Sequence, residues 1–351
     1  MPKTLTQAQP AFAQTMVAWQ RRHGRQNLPW QNTREPYRVW LSEIMLQQTQ
    51  VSTVLDYYAR FLQNFPDVAA LAAASQDQVM GLWSGLGYYS RARNLHQCAK
   101  DVVSRFGGQF PSTAAELITL PGIGRSTAAA IAAFCFSERA AILDGNVKRV
   151  LTRVLAYEAD LSVAAHEKAL WILAEALLPT QGLKAAMPRY TQAVMDLGAT
   201  LCLPKKPACA QCPVQHLCQG FAQGEPERMP VKTRKLKRSS HALWLLWAVN
   251  SKGQVWLEKR ADTGIWAGLY CLPVWPSHAE LTSALPSAAK QNLLAPWKHV
   301  LTHKDLHLHP VKVRLQGTPK FLSAQGQGRW WSAQEWPALG LPAPVRQLLS
   351  A

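Results

Sequence analysis

The sequence predicts a multidomain protein: a mostly helical part over residues 1–220, a basic linker over 221–240, and a small α/β domain over 241–351. Three observations predict it. Apolar residues recur at helical spacing in the first part, where strand signals are scarce. Gly224, Pro226 and Pro230 then break regular structure. Alternating β-rich runs follow. A chain of 351 residues has room for two or three domains at about 150 residues each.

In chain order, Val39–Leu62 carries the first clear helical period. Leu41, Ile44, Met45 and Leu55 suit one buried side, and Glu43, Gln47 and Gln50 share a polar one. Thr127–Phe136 is small and apolar throughout, which predicts a buried helix that neighbours approach closely. Glu167–Leu178 and Tyr190–Leu201 read as amphipathic helices. Arg228, Lys232, Arg234, Lys235, Lys237 and Arg238 make the linker basic, as a solvated tether or a phosphate contact. HALWLLWAVNSKGQVWLEKR predicts a hairpin turning at Asn250–Gly253. VKVRLQG is another strand, RWWSAQEW is expected to follow one, and Ala279–Leu294 is expected to be partly helical.

Composition narrows the function classes. At 48% hydrophobic residues the chain buries real cores, so disorder is excluded. No run approaches the roughly 20 apolar residues of a membrane span. The first residues, MPKTLTQAQPAFAQ, lack a signal-peptide core, so a cytoplasmic location is expected. A net charge of +17 points to a polyanion, and membrane surfaces, RNA and DNA satisfy it equally. Residues 241–351 hold 11 basic and 5 acidic residues, so the charge is not confined to one part.

Three constellations carry chemistry. Leu120-Pro121-Gly122-Ile123-Gly124-Arg125-Ser126-Thr127 leads into the Ala-rich helix. Gly122 and Gly124 allow a tight turn and close backbone approach, and amides at a helix start bind phosphate. This is the helix-hairpin-helix signature for a DNA backbone; a plain αα-turn is the alternative. Cys202-x6-Cys209-x2-Cys212-x5-Cys218 places four of seven cysteines where they can enclose one metal or one cluster. Zinc ribbons use two close pairs well apart, and one pair flanked by single cysteines departs from that pattern. Cys98, Cys135 and Cys271 read as ordinary buried thiols. Asp144, in Ile142-Leu143-Asp144-Gly145-Asn146-Val147, is by local rules a helix N-cap.

These residues resemble the endonuclease III superfamily of DNA glycosylases, whose [4Fe–4S] loop has this cysteine spacing and whose catalytic aspartate follows the hairpin. Within it the chain resembles adenine DNA glycosylases of the MutY type over nearly its whole length. LPWQ at 28–31, PYRVWLSEIMLQQTQV at 36–51 and GLGYYSRARNL at 85–95 carry this. The fold implied is a helix-hairpin-helix core of two lobes, 1–29 with 139–220 and 30–138, with DNA in the groove between them. A Nudix-like domain follows, carried by Gly264–Tyr270 and Leu272-Pro273. Nothing in 241–351 resembles the glutamate-rich Nudix box, so pyrophosphate hydrolysis is not expected.

The resemblance implies site residues one by one. Glu43 would protonate adenine at N7 and later activate water; a largely apolar pocket is expected to raise its pKa. Asp144 would stabilise the oxocarbenium-like sugar. Asn146 would hydrogen-bond within the site, and Gln192 would contact the flipped adenine. Ser126 stands where the lyase branch has its Schiff-base lysine, which implies monofunctional hydrolysis. Gln48, Thr49, Leu86 and Tyr88 would contact DNA beside 8-oxoguanine. Leu301-Thr302-His303 lies where relatives often carry Phe-Ser-His, so Thr302 and His303 remain contacts while Leu301 puts stacking in doubt. His307 and His309 are explained by alternation along a strand. The implied partner is double-stranded DNA with adenine opposite 8-oxoguanine or guanine, and the implied enzyme is a monomer associated with the bacterial nucleoid. The alternative is a bifunctional endonuclease III-like lyase on oxidised pyrimidines. A non-catalytic binder of damaged DNA would need neither Glu43 nor Asp144.

Overall fold

Short polar side chains set where several helices begin. Glu35 accepts from the amides of Tyr37 and Arg38 and starts α2 (Pro36–Leu46), after α1 (Lys3–His23). Ser75 and Gln78 form a capping box that starts α5 (Gln76–Trp83), which follows α3 (Val51–Asn64) and α4 (Val68–Ala73). The computed structural model describes residues 3–351 except 235–236, 318–319 and 325–327. The helical series continues with α6 (Ser90–Phe106), α7 (Ala114–Leu117), α8 (Arg125–Ile131), α9 (Gly145–Val154), α10 (Ala164–Ala176), α11 (Leu183–Thr200) and α12 (Gln219–Ala222). Among the described residues, no helix is long and apolar enough to cross a membrane.

Packing divides the chain into two units. Met1–Tyr58, Phe65–Ala72 and Gln97–Lys235 form the first; Ala59–Asn64, Ala73–His96 and Leu236–Ala351 form the second. The boundaries read from the sequence do not anticipate that Ala73–His96 joins the C-terminal residues. In the first unit Phe12, Met16, Leu143, Val147, Leu151, Tyr190 and Leu197 are buried together, which packs α1, α9 and α11 into one core. Gly198 makes the α9–α11 contact close: a Cβ there would meet the Asn146 side chain at 2.8 Å.

The second unit is built on a mixed sheet. Its strands are β1 (Ser239–Val249), β2 (Val255–Lys259), β3 (Tyr270–Cys271), β4 (Val274–Trp275), β5 (Gln291–Leu293), β6 (Trp297–Val300), β7 (Lys304–Arg314) and β8 (Gly328–Trp331). The main order is β3-β2-β1-β7-β5. β1 and β7 run parallel from Ser239↔Lys304 to Val249↔Arg314, and the expected hairpin joins β1 to β2 at Val249↔Val255. Leu246, Ala248, Val311 and Val313 form part of a buried core with Trp256 and Trp275. His307 and His309 alternate with buried Leu306 and Leu308, as expected, and His309 stacks on Trp244 at 4.5 Å.

The structure corrects four local expectations. Val39–Leu62 is two helices, because the chain leaves helical geometry at Gln47–Gln50. The break shifts the helical phase, so Leu55 is 36% exposed rather than in the buried stripe. Ala279–Leu294, by contrast, is partly helical as expected: after the helix His278–Ala284, Pro286 disfavours helix at Leu285, and Gln291–Leu293 is strand. Arg329–Trp331 is itself strand, with Trp256 paired to Trp330 in β8. Cys135 is only partly buried, unlike Cys98 and Cys271. Residues 226–234 are no free tether: Met229 is buried, Leu161 N donates to Val231 O at 3.0 Å, and Thr233 Oγ1 donates to Asp160. Lys235 lies outside the described residues, and Lys237 and Arg238 are exposed.

Leu151 is almost fully enclosed in the first core. Leu151→Ala is expected to cost about 2–5 kcal/mol, read as a lower midpoint in urea unfolding.

Candidate active site

Seven of the residues expected from the sequence meet at one cavity of 1210 Å³ in the first unit. Glu43, Gln48, Thr49, Ser126, Asp144, Asn146 and Gln192 all line it. Helix α2 supplies Glu43, and the break after it supplies Gln48 and Thr49. Gln48 has φ +56, a left-handed conformation that non-glycine residues rarely adopt. The Thr49 hydroxyl donates to Gln47 O at 3.3 Å across that break.

Asp144 is the N-cap of α9. Its Oδ1 accepts from Asn146 N at 2.6 Å and Val147 N at 2.9 Å, so the carboxylate is fixed at the positive end of the helix. The hydroxyl of Ser126, on α8, accepts from Leu143 N at 3.0 Å and tethers the backbone that leads into Asp144. Gln192, on α11, donates through Nε2 to Asp196 Oδ1 at 2.8 Å. Asp196 is fully buried and also receives Arg25 Nε at 2.6 Å.

Glu43 is half-buried, because its side opens onto the cavity. The protein around it still raises its carboxyl to about 8, first by desolvation and second through the charge of Asp144. Glu43 is therefore mostly protonated at neutral pH. One cavity thus holds a carboxylic acid and a clamped carboxylate, an arrangement that can give a proton and stabilise positive charge.

Several wall residues were not singled out from the sequence as site residues. Trp30 and Gln31 fall in the LPWQ motif, which could have found them. The Gln31 Nε2 atom is buried without a hydrogen-bond partner. Arg149 carries no local signal: its Nη2 donates to Asn146 Oδ1 at 2.9 Å and Gly198 O at 2.6 Å, and its Nε donates to Cys202 O at 2.7 Å. Gly122 and Gly124 lie in the α7–α8 hairpin, outside the cavity lining. Gly122 has φ +76, while Gly124 caps α8 and a Cβ on it would meet nothing within 4 Å. The backbone there is open to an outside group. Leu86, Tyr88, Thr302 and His303 belong to the second unit, where the Thr302 hydroxyl donates to Tyr88 Oη at 3.2 Å.

The four clustered cysteines line one pocket with Val150, Arg153 and Val214. Among the described residues no three His, Cys, Asp or Glu side chains group as for a single metal ion. The thiols are instead furnished with donors. Arg153 Nη1 lies 3.4 Å from Cys202 Sγ, backbone N–H of Val214 faces Cys212, and those of Gly220 and Phe221 face Cys218. Such donors stabilise thiolate charge, so the site fits an iron–sulfur cluster. Burial pushes the Cys212 thiol up to about 11, so binding a cluster must displace protons.

Comparison with known proteins agrees with this geometry. Residues 41–176 match the HhH-GPD superfamily of base excision DNA repair proteins. Residues 202–218 match the iron–sulfur binding domain of endonuclease III, and 244–351 match the NUDIX domain. A solved thermostable thymine-DNA glycosylase aligns with TM-score 0.54 and 27% identity over 62% of this chain and 98% of its own. An endonuclease III–DNA complex shares the fold at TM-score 0.51 and 21% identity, covering 64% of this chain and 99% of its own. Fold and site together define a helix-hairpin-helix base-excision repair protein with a [4Fe–4S] cluster and a Nudix-like domain. The adenine DNA glycosylase of Buchnera aphidicola subsp. Baizongia pistaciae is 36% identical over 343 residues, 97% of this chain and 96% of the relative. That of Mus musculus is 46% identical over 220 residues, 60% of this chain and 42% of the relative. The chain belongs to the adenine DNA glycosylase family.

The raised Glu43 carboxyl links to stability. Its pKa of about 8 lies above the ordinary 4.5 of the unfolded chain, so its contribution is complete below the lower value and lost as pH rises through the higher. Glu43→Gln does not titrate. The melting temperature of that variant minus wild type is expected to increase from pH 5 to pH 9; a constant difference would contradict the assignment.

Proposed function

We propose that the protein hydrolyses the N-glycosidic bond of adenine mispaired with 8-oxoguanine or guanine in double-stranded DNA, leaving an abasic site without strand cleavage. The observation that carries this is one cavity lined by both Glu43, whose carboxyl is raised to about 8, and the amide-clamped Asp144. The adenine cannot be reached inside the duplex and is flipped into the cavity. Glu43 gives its proton to adenine N7, and the glycosidic electrons leave with the base. The cation left at the sugar is stabilised by the Asp144 carboxylate. Glu43, now ionised, takes a proton from water as that water attacks the sugar carbon. Asn146 holds the start of α9 in register through Arg149, and Gln192 meets the base.

Ser126 offers a hydroxyl already engaged to Leu143, and no amine, at the position of the lyase lysine. Gln48, Thr49, Leu86, Tyr88, Thr302 and His303 meet the DNA around the mispair. Gly122 and Gly124 receive phosphate, with the two helical lobes flanking the duplex. Cys202, Cys209, Cys212 and Cys218 hold the cluster. A cluster bound there would tie the Cys202–Cys218 loop together, while base release is carried by the cavity residues. The chain acts as a monomer in the cytoplasm, on the nucleoid.

The test is single-turnover release of adenine opposite 8-oxoguanine. Glu43→Gln and Asp144→Asn are each expected to lose about 10²–10⁴-fold or more in rate. Borohydride is expected to trap no covalent adduct. Undiminished release in both variants, or strong trapping, would overturn the reading.

A further inference from the structure

The loop between α5 and α6 is held in an uncommon backbone state. Gly85, Gly87 and Tyr88 have φ of +106, +73 and +48. Glycine adopts such angles freely; tyrosine does so only where its surroundings enforce them. Tyr88 is 43% exposed, so no enclosing core enforces its conformation.

Part of the enforcement comes from the other end of the chain. The Tyr89 hydroxyl donates to Leu341 O at 2.9 Å and accepts from Gly85 N at 3.3 Å, bridging the loop to the C-terminal tail. Ser84 Oγ donates to the same Leu341 carbonyl at 3.1 Å. It also accepts from Arg346 Nε at 3.1 Å. Arg346 lies on the last helix, Ala343–Ser350, and its Nη1 and Nη2 donate to Pro337 O at 3.0 Å and Leu339 O at 2.7 Å. One planar guanidinium thus ties the tail to itself and to the residue where the loop begins. On the other side of Tyr88, Arg91 N donates to Tyr88 O at 2.8 Å.

We propose that Arg346 and Tyr89 are positioning residues: by tying the C-terminal tail to the Ser84–Tyr89 loop, they hold Tyr88 in the backbone state in which it meets the base opposite the excised adenine. The Nudix-like domain therefore acts on opposite-base discrimination through its tail as well as through the Thr302–His303 turn. This rests on the reading of Tyr88 as a DNA contact.

The experiment is the ratio of single-turnover rates for adenine opposite 8-oxoguanine and opposite guanine, in the full-length, cluster-loaded protein. The variants are Tyr88→Ala, Tyr89→Phe, Arg346→Ala and the Tyr88→Ala/Arg346→Ala double variant. Tyr89→Phe keeps the ring and removes only the bridging hydroxyl, so it reports even where Arg346→Ala unseats the last helix. Tyr88→Ala is expected to lower the ratio, and Tyr89→Phe and Arg346→Ala to lower it about three- to tenfold, with melting temperature unchanged for Tyr89→Phe. The double variant is expected to match Tyr88→Ala, because residues acting through one group do not add. If Tyr88→Ala lowers the ratio while Tyr89→Phe and Arg346→Ala leave it unchanged, or if the double variant is additive, the positioning role is wrong and the DNA contact stands. If Tyr88→Ala itself leaves the ratio unchanged, the DNA contact is wrong and the positioning role falls with it.

Discussion

The cavity depends on where helix α9 starts and how it is held. Asp144 stops the chain in extended geometry and turns its first free amides onto its own carboxylate. The same ten-residue helix then carries Arg149 and Arg153, whose guanidinium groups take backbone carbonyls from Gly198, Cys202, Leu203, Pro204 and Met229. Those carbonyls would otherwise be poorly satisfied where the cysteine loop crosses the helix. One helix thus fixes a carboxylate at its N-terminus and a cysteine loop along its side. Gly198 lets α11 come close enough to complete the wall.

The two carboxyl groups are separated in role by their surroundings. Glu43 sits on the face of a helix whose other side is core, and removal from water dominates its raised pKa. Asp144 instead faces two amides. The neighbouring Asp144 carboxylate adds to the cost of ionising Glu43.

Much of this was legible in the sequence, for identifiable reasons. The hairpin, the cysteine spacing and Asp144 announce themselves through short motifs whose backbone demands are local. Glu43 read only as an exposed helix carboxylate until the resemblance gave it meaning, because its burial arises from partners far away in the chain. Gln48 breaks a helix that period alone continues, and the phase of Leu55 was lost with it. Arg149, Gly198, Ser84 and Arg346 were not singled out because their value lies in long-range carbonyl and hydroxyl partners, which no periodicity encodes. The stretch through Met229 read as a tether by its charge, yet one buried methionine and three backbone partners seat it.

The net charge of +17 suits a polyanion and is silent on which base is cut. In the proposed reaction base release rests on the protonation of Glu43, so the most direct measurement is the pH dependence of single-turnover adenine release opposite 8-oxoguanine. The rate is expected to fall on the alkaline side with an apparent pKa near 8, as the Glu43 proton is lost. A rate that stays level or rises through pH 8 to 9 would contradict a general acid at Glu43.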